Sequence, residues 1–109
     1  MKIKFQSPDF TASQELTDFV KNKVEKLKHL YHEIIWSEVC LKLDNSETKE
    51  NKACEIRLAI PGNDLLAGAQ CKTFEEAAAQ CVEALEKQIK KRKTKIIAKR
   101  KDIVEIKNS

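Results

Sequence analysis

No stretch of this 109-residue chain is apolar for long enough to span a bilayer. The opening Met-Lys-Ile-Lys-Phe runs straight into an alternating pattern with no secretory or lipidation signal, so a cytoplasmic protein is expected. CxxC pairs are absent too. Cys40, Cys54, Cys71 and Cys81 are dispersed through the apolar pattern, whereas a zinc site needs closely spaced ligand pairs; buried, reduced thiols are the better account. His29 and His32 stand isolated near Glu33 and read as surface or capping residues. With no Cys/His or Ser/His/Asp arrangement in view, neither catalysis nor a cofactor, metal or small-molecule substrate is expected. Aromatic residues make up only 6%. Trp36 alone would lie on the uncovered side of a sheet, which is no platform for stacking bases. Repeats and internal linkers are missing, and this length suits one domain burying about two-thirds of its unfolded surface.

The most informative absence is that of one sign of charge. Residues 87–101 carry nine Lys or Arg and no Asp or Glu, while residues 1–86 carry eleven Lys or Arg against fifteen Asp or Glu. The net +4 therefore conceals an acidic body joined to a cationic segment. Such concentration is costly in self-repulsion, and the usual compensation is a polyanionic partner, nucleic acid or an anionic membrane. A solvated helix face is the plainer alternative, but such faces mix Glu with Lys. Membrane binding would need a bulky apolar face beyond residue 96, which is lacking.

Residues 2–6 alternate with period two, as a half-buried strand does. Ser7-Pro8-Asp9 breaks that pattern, and Thr11 or Ser13 can cap a helix with apolar positions Leu16, Phe19, Val20, Val24, Leu27, Leu30 and Tyr31. A second strand is expected over about 34–43, with Ile35, Val39, Leu41 and Leu43 on one face and Trp36, Glu38, Cys40 and Lys42 on the other. A third, about 53–60, puts Cys54, Ile56, Leu58 and Ile60 inward. Pro61-Gly62-Asn63-Asp64 is a turn signal, and a fourth strand follows over 65–71. Thr73-Phe74-Glu75-Glu76 fits a capping box for a second helix, whose apolar stripe is Phe74, Ala77, Ala78, Cys81, Val82, Leu85, Ile89 and Ile96. The expected class is α+β in the order β-α-β-β-β-α. Its four-stranded sheet would have a parallel first pair and an antiparallel meander, with both helices on one face in a dsRBD-like two-layer sandwich.

On the helical wheel Arg92 falls on the stripe of Leu85 and Ile89, a poor place for a guanidinium against a sheet. The expectation is that the helix leaves the body at about residue 91 and projects into solvent. Residues 1–101 would form one binding domain, and 102–109 a short, mildly acidic tail that is a candidate for disorder. Lys87, Lys91, Lys95 and Lys99 form a ridge at i, i+4 spacing, broadened by Lys90, Lys93 and Lys101. Lysines suit phosphates as point charges, while bidentate base reading favours arginine, so backbone recognition is expected.

The chain also resembles a known family, the ribosome hibernation factors. This family includes hibernation-promoting factor and the ribosome-associated inhibitor called protein Y, and is also described as the sigma-54 modulation proteins. The resemblance covers about residues 2–96. It rests on the opening strand, the helix Leu16…Asp18-Phe19-Val20…Lys23…Lys26-Leu27, then Val39-Cys40-Leu41-Lys42 and Ile60-Pro61-Gly62-Asn63…Ala67. Most telling is Leu85-Glu86-Lys87-Gln88-Ile89-Lys90-Lys91-Arg92-Lys93-Thr94-Lys95. The resemblance implies a non-catalytic protein that occupies the mRNA and tRNA channel of the small ribosomal subunit and idles translation in stationary phase or stress. By position it implies rRNA contacts from Lys23, Lys26, Lys87, Lys91 and Lys95, with Lys90, Arg92 and Lys93 as extras. Lys23, near the apolar edge of its helix, would have to snorkel toward the neighbouring helix. Where relatives commonly have Asp-x-Tyr-x-Ala-Ile-Asp, this chain has Thr73-Phe74-Glu75-Glu76-Ala77-Ala78-Ala79. It ends at Ser109 without the dimerisation domain of the long forms, so a short-form monomer is expected. The residues alone reach only polyanions, and a general RNA-binding module stays open beside the ribosomal reading.

Overall fold

The computed structural model describes residues 1–44 and 49–108, with side chains described as far as Lys93. Its elements are β1 (Lys2–Gln6), α1 (Gln14–Leu30), β2 (Trp36–Leu43), β3 (Lys52–Ala59), β4 (Leu65–Cys71) and α2 (Phe74–Asn108). The sheet order is β1-β2-β3-β4. β1 runs parallel to β2, with Lys2 opposite Trp36, and the remaining pairs are antiparallel. The expected α+β class and element order hold.

Local chemistry sets each boundary. The Ser13 hydroxyl accepts the Leu16 N–H at 3.1 Å and so caps α1. Thr73 does the same for α2, accepting the Glu76 N–H at 3.1 Å. Gly62 takes φ +88° in the turn between β3 and β4, a conformation that costs an L-residue with a side chain. Arg57 Nε donates to Asp64 across that turn at 2.8 Å.

Burial follows the two periodicities. Val20, Val24 and Leu27 of α1 and Ala77, Ala78, Cys81, Leu85 and Ile89 of α2 are fully buried. They form one core with Val39, Leu41, Cys54, Ile56 and Leu58 from alternate positions of the sheet. The other sheet face, with Lys4, Glu38, Arg57 and Leu66, is left without helical cover. Phe10 stacks on Phe74, ring centroids 4.7 Å apart, and so ties the chain before α1 to the first residue of α2.

One sequence expectation fails at the start of β2. The alternation predicts Ile35 inward, but it is 62% exposed, and Ile34 is fully buried instead. A tight turn after α1, with the Ile34 N–H on the Tyr31 carbonyl at 3.4 Å, drives Ile34 into the core. The strand's alternation begins only at Trp36. Leu43, also expected inward, is 38% exposed at the other end of β2. Between them the covered face holds Ser37, the only buried polar residue among those described.

Candidate nucleic-acid interface

The helices lie side by side and run in the same direction. Phe10, just before α1, meets Phe74 at the start of α2, and the far end of α1 meets α2 part-way along its length, where Arg92 reaches Tyr31 and Lys93 reaches Leu30. Counting back five residues, about 7.5 Å of helix, from the Tyr31–Arg92 contact sets Lys26 and Lys87 at the same level. Packed helices lie about 8–10 Å apart. Lys26 and Lys87, with Lys90 and Lys91 about one turn further along α2, therefore lie near one another where α1 ends.

The expected basic residues differ in exposure and partners. Lys26, Lys87, Lys90 and Lys91 are exposed. Lys87 pairs loosely with Glu83, one turn earlier, at 3.7 Å, both side chains well solvated, so the pair contributes little and yields readily to another anion. Lys23 is half-buried, with its ammonium 5.5 Å above the Phe19 ring. The aliphatic stem is used for packing and the charge is held by a cation–π contact. Lys95 lies outside the residues with described side chains, as do Lys99 and Lys101 of the expected ridge.

Arg92 and Lys93 are engaged by the body. Arg92 Nε donates to the Tyr31 hydroxyl at 3.1 Å and Nη2 to the Pro61 carbonyl at 3.3 Å. Lys93 Nζ donates to the Leu30 carbonyl and sits 6.0 Å over the Tyr31 ring. Lys28 Nζ donates to the carbonyls of His32 and Ile34 at 2.5 and 2.6 Å. Carbonyls at and just beyond the end of α1 thus receive ammonium groups, the favourable sign for the negative end of a helix dipole. The wheel placed Arg92 on the apolar stripe correctly. What it could not supply was the Tyr31 hydroxyl, 61 residues away in sequence, that makes a guanidinium acceptable there. The body holds α2 through Lys93, two residues beyond the expected point of departure.

The thiols divide by depth. Cys54, Cys71 and Cys81 are buried and free, and Cys40 is half-buried. Cys81 Sγ lies 3.2 Å from the Cys54 carbonyl oxygen. Hydrogen bonding with Cys81, followed by burial, pushes the Cys54 thiol far above its ordinary range, and burial raises Cys40 and Cys71. The hydrogen bond with Cys54 lowers Cys81, whose sulfur is fully buried in the core. The three raised thiols stay protonated, and protonated thiols are poor nucleophiles and poor metal ligands. Among the described residues no cluster of His, Cys, Asp and Glu could hold a metal ion, and no helix is long and apolar enough to cross a membrane.

Comparison with known proteins adds a lineage to this geometry. Residues 3–97 match the family described as sigma 54 modulation protein / S30EA ribosomal protein. Ribosome hibernation promoting factor of Pseudomonas putida is 25% identical over 95 residues, covering 87% of this chain and 89% of that protein. A ribosomal subunit interface protein from Coxiella burnetii shares the fold at a TM-score of 0.76 and 19% identity, over 86% of this chain and 99% of that one. The N-terminal domain of Thermus thermophilus Protein Y does so at 0.71 and 22%, over 84% and 98%.

Proposed function

The chain belongs to the sigma 54 modulation protein / S30EA ribosomal protein family, and from that premise we propose that it is a ribosome hibernation factor. It binds the small ribosomal subunit in the channel for mRNA and tRNA and so holds translation idle in stationary phase or under stress. In this reading it acts in the cytoplasm, as a monomer and without catalysis. The observation that carries the proposal is the gathering of exposed Lys26, Lys87, Lys90 and Lys91 where α1 ends, at the root of a segment with nine positive charges and no negative one. The names of the relatives, a hibernation promoting factor and a subunit interface protein, support reading the polyanion as ribosomal.

Lys23, Lys26, Lys87, Lys90, Lys91 and Lys95 act on rRNA phosphates as point charges, with little reading of bases. If about six phosphates are neutralised, affinity falls by orders of magnitude over a few-fold rise in salt. The test is sedimentation with purified small subunits, challenged by mRNA and tRNA. The proposal expects co-sedimentation that the competitors abolish. Equal binding to any duplex RNA would favour a general RNA-binding module instead.

A further inference from the structure

Two of the basic residues expected at the RNA are spent on the body, and the manner of it suggests a purpose. Tyr31 is 6% exposed at the end of α1. Its hydroxyl donates to Glu33 Oε2 at 2.7 Å and accepts from Arg92 Nε at 3.1 Å. A phenol has one proton to give and lone pairs to receive, so this polarity is the only one that satisfies all three groups. The carboxylate and the guanidinium are thereby coupled through a buried hydroxyl, with charge assistance at both bonds. From the same guanidinium, Nη2 reaches the Pro61 carbonyl in the turn between β3 and β4, and Lys93 is held on the Leu30 carbonyl. α2 is therefore gripped from α1 and from the β3–β4 turn at Arg92 and Lys93, inside its cationic segment.

We propose that Tyr31, backed by Glu33, is a positioning residue: through Arg92 it fixes the direction in which the basic segment of α2 leaves the body, and Arg92 serves as the pivot of that grip instead of as an RNA contact. An unguided helix would sample many directions, and every phosphate contact beyond the pivot would lose affinity to that freedom. The inference rests on the ribosomal reading for its consequence, though not for its mechanics.

The experiment uses Tyr31→Phe, which keeps the ring under Lys93 and removes only the hydroxyl, beside Arg92→Gln and the double variant. Amide hydrogen exchange reports the grip without any ribosome. Protection of residues 90–93 should fall about tenfold in either single variant, the equivalent of one charge-assisted hydrogen bond. The double variant should be no worse than Arg92→Gln alone, while β2 and β3 keep their protection. With small subunits, both single variants should bind about tenfold more weakly with an unchanged slope of log affinity against log salt, since no phosphate contact is removed. Unchanged protection of residues 90–93 in Tyr31→Phe overturns the proposal. So does a shallower salt slope, by about one contact, in Arg92→Gln with Tyr31→Phe binding normally. If the unmodified protein fails to bind subunits, the ribosomal reading falls, and the exchange data still decide the grip.

Discussion

Replacing Ser37 by alanine removes the one side-chain oxygen that, among the described residues, is buried without a hydrogen-bond partner. Ser37 is fully buried in β2, facing the helices, between Ile3 of β1 and Leu58 of β3 in register. A hydroxyl taken from water and left unpaired costs about 1–3 kcal/mol. Deleting it also forfeits the dispersion contacts of one oxygen, well under the cost of a deleted methylene, about 1 kcal/mol. The balance favours the variant by about 0.5–1.5 kcal/mol, a rise of about 2–8 °C in Tm for a domain of this size. Urea titration at constant m, checked by calorimetry, measures it. A loss of 1 kcal/mol or more would refute the reasoning, because it would mean that the hydroxyl is satisfied and contributes to the fold.

Gly62→Ala meets no atom within 4 Å, so its cost is conformational alone, from φ +88°. That cost is about 1–2 kcal/mol by urea titration, and a neutral result would mean the turn can relax to negative φ. Alkaline pH should destabilise the protein. The Cys54 and Cys71 thiols are held above their ordinary value of 9.0 in the fold, as is Cys40, while the hydrogen bond with Cys54 lowers Cys81 and offsets part of the Cys54 effect. The contribution of the raised thiols is intact below that value and declines as pH rises past it, where the unfolded chain loses the protons first. The slope is up to about 1.4 kcal/mol per pH unit for each thiol. Urea midpoints at pH 8 and 10 should differ, and the difference should shrink in Cys54→Ala/Cys71→Ala; an equal fall in that variant would assign it to other groups.

Much of this was legible in the chain because single-element periodicity carries it. The stripes through Val20, Val24 and Leu27, and through Ala78, Cys81, Leu85 and Ile89, name the covered faces of both helices without any tertiary information. The Pro61-Gly62 turn and the Ser13 and Thr73 caps are likewise local chemistry. What escaped was decided between elements. Ile34 replaced Ile35 in the core because a turn at Tyr31 resets the phase of the strand. Arg92 gave a visible signal, a charge on an apolar stripe, but its partners come from α1 and from the β3–β4 turn. The stacking of Phe10 on Phe74 joins residues that no spacing rule connects. Charge pointed to a candidate basic surface, while the polyanion proposed for it rests on the family.

The measurement that bears most directly on the central claim is sedimentation of a Lys87→Glu/Lys91→Glu/Lys95→Glu variant with small ribosomal subunits at physiological salt, its folding verified by circular dichroism. The unmodified protein should travel with the subunits, and the folded variant should stay at the top of the gradient. Normal co-sedimentation of the folded variant would contradict that claim.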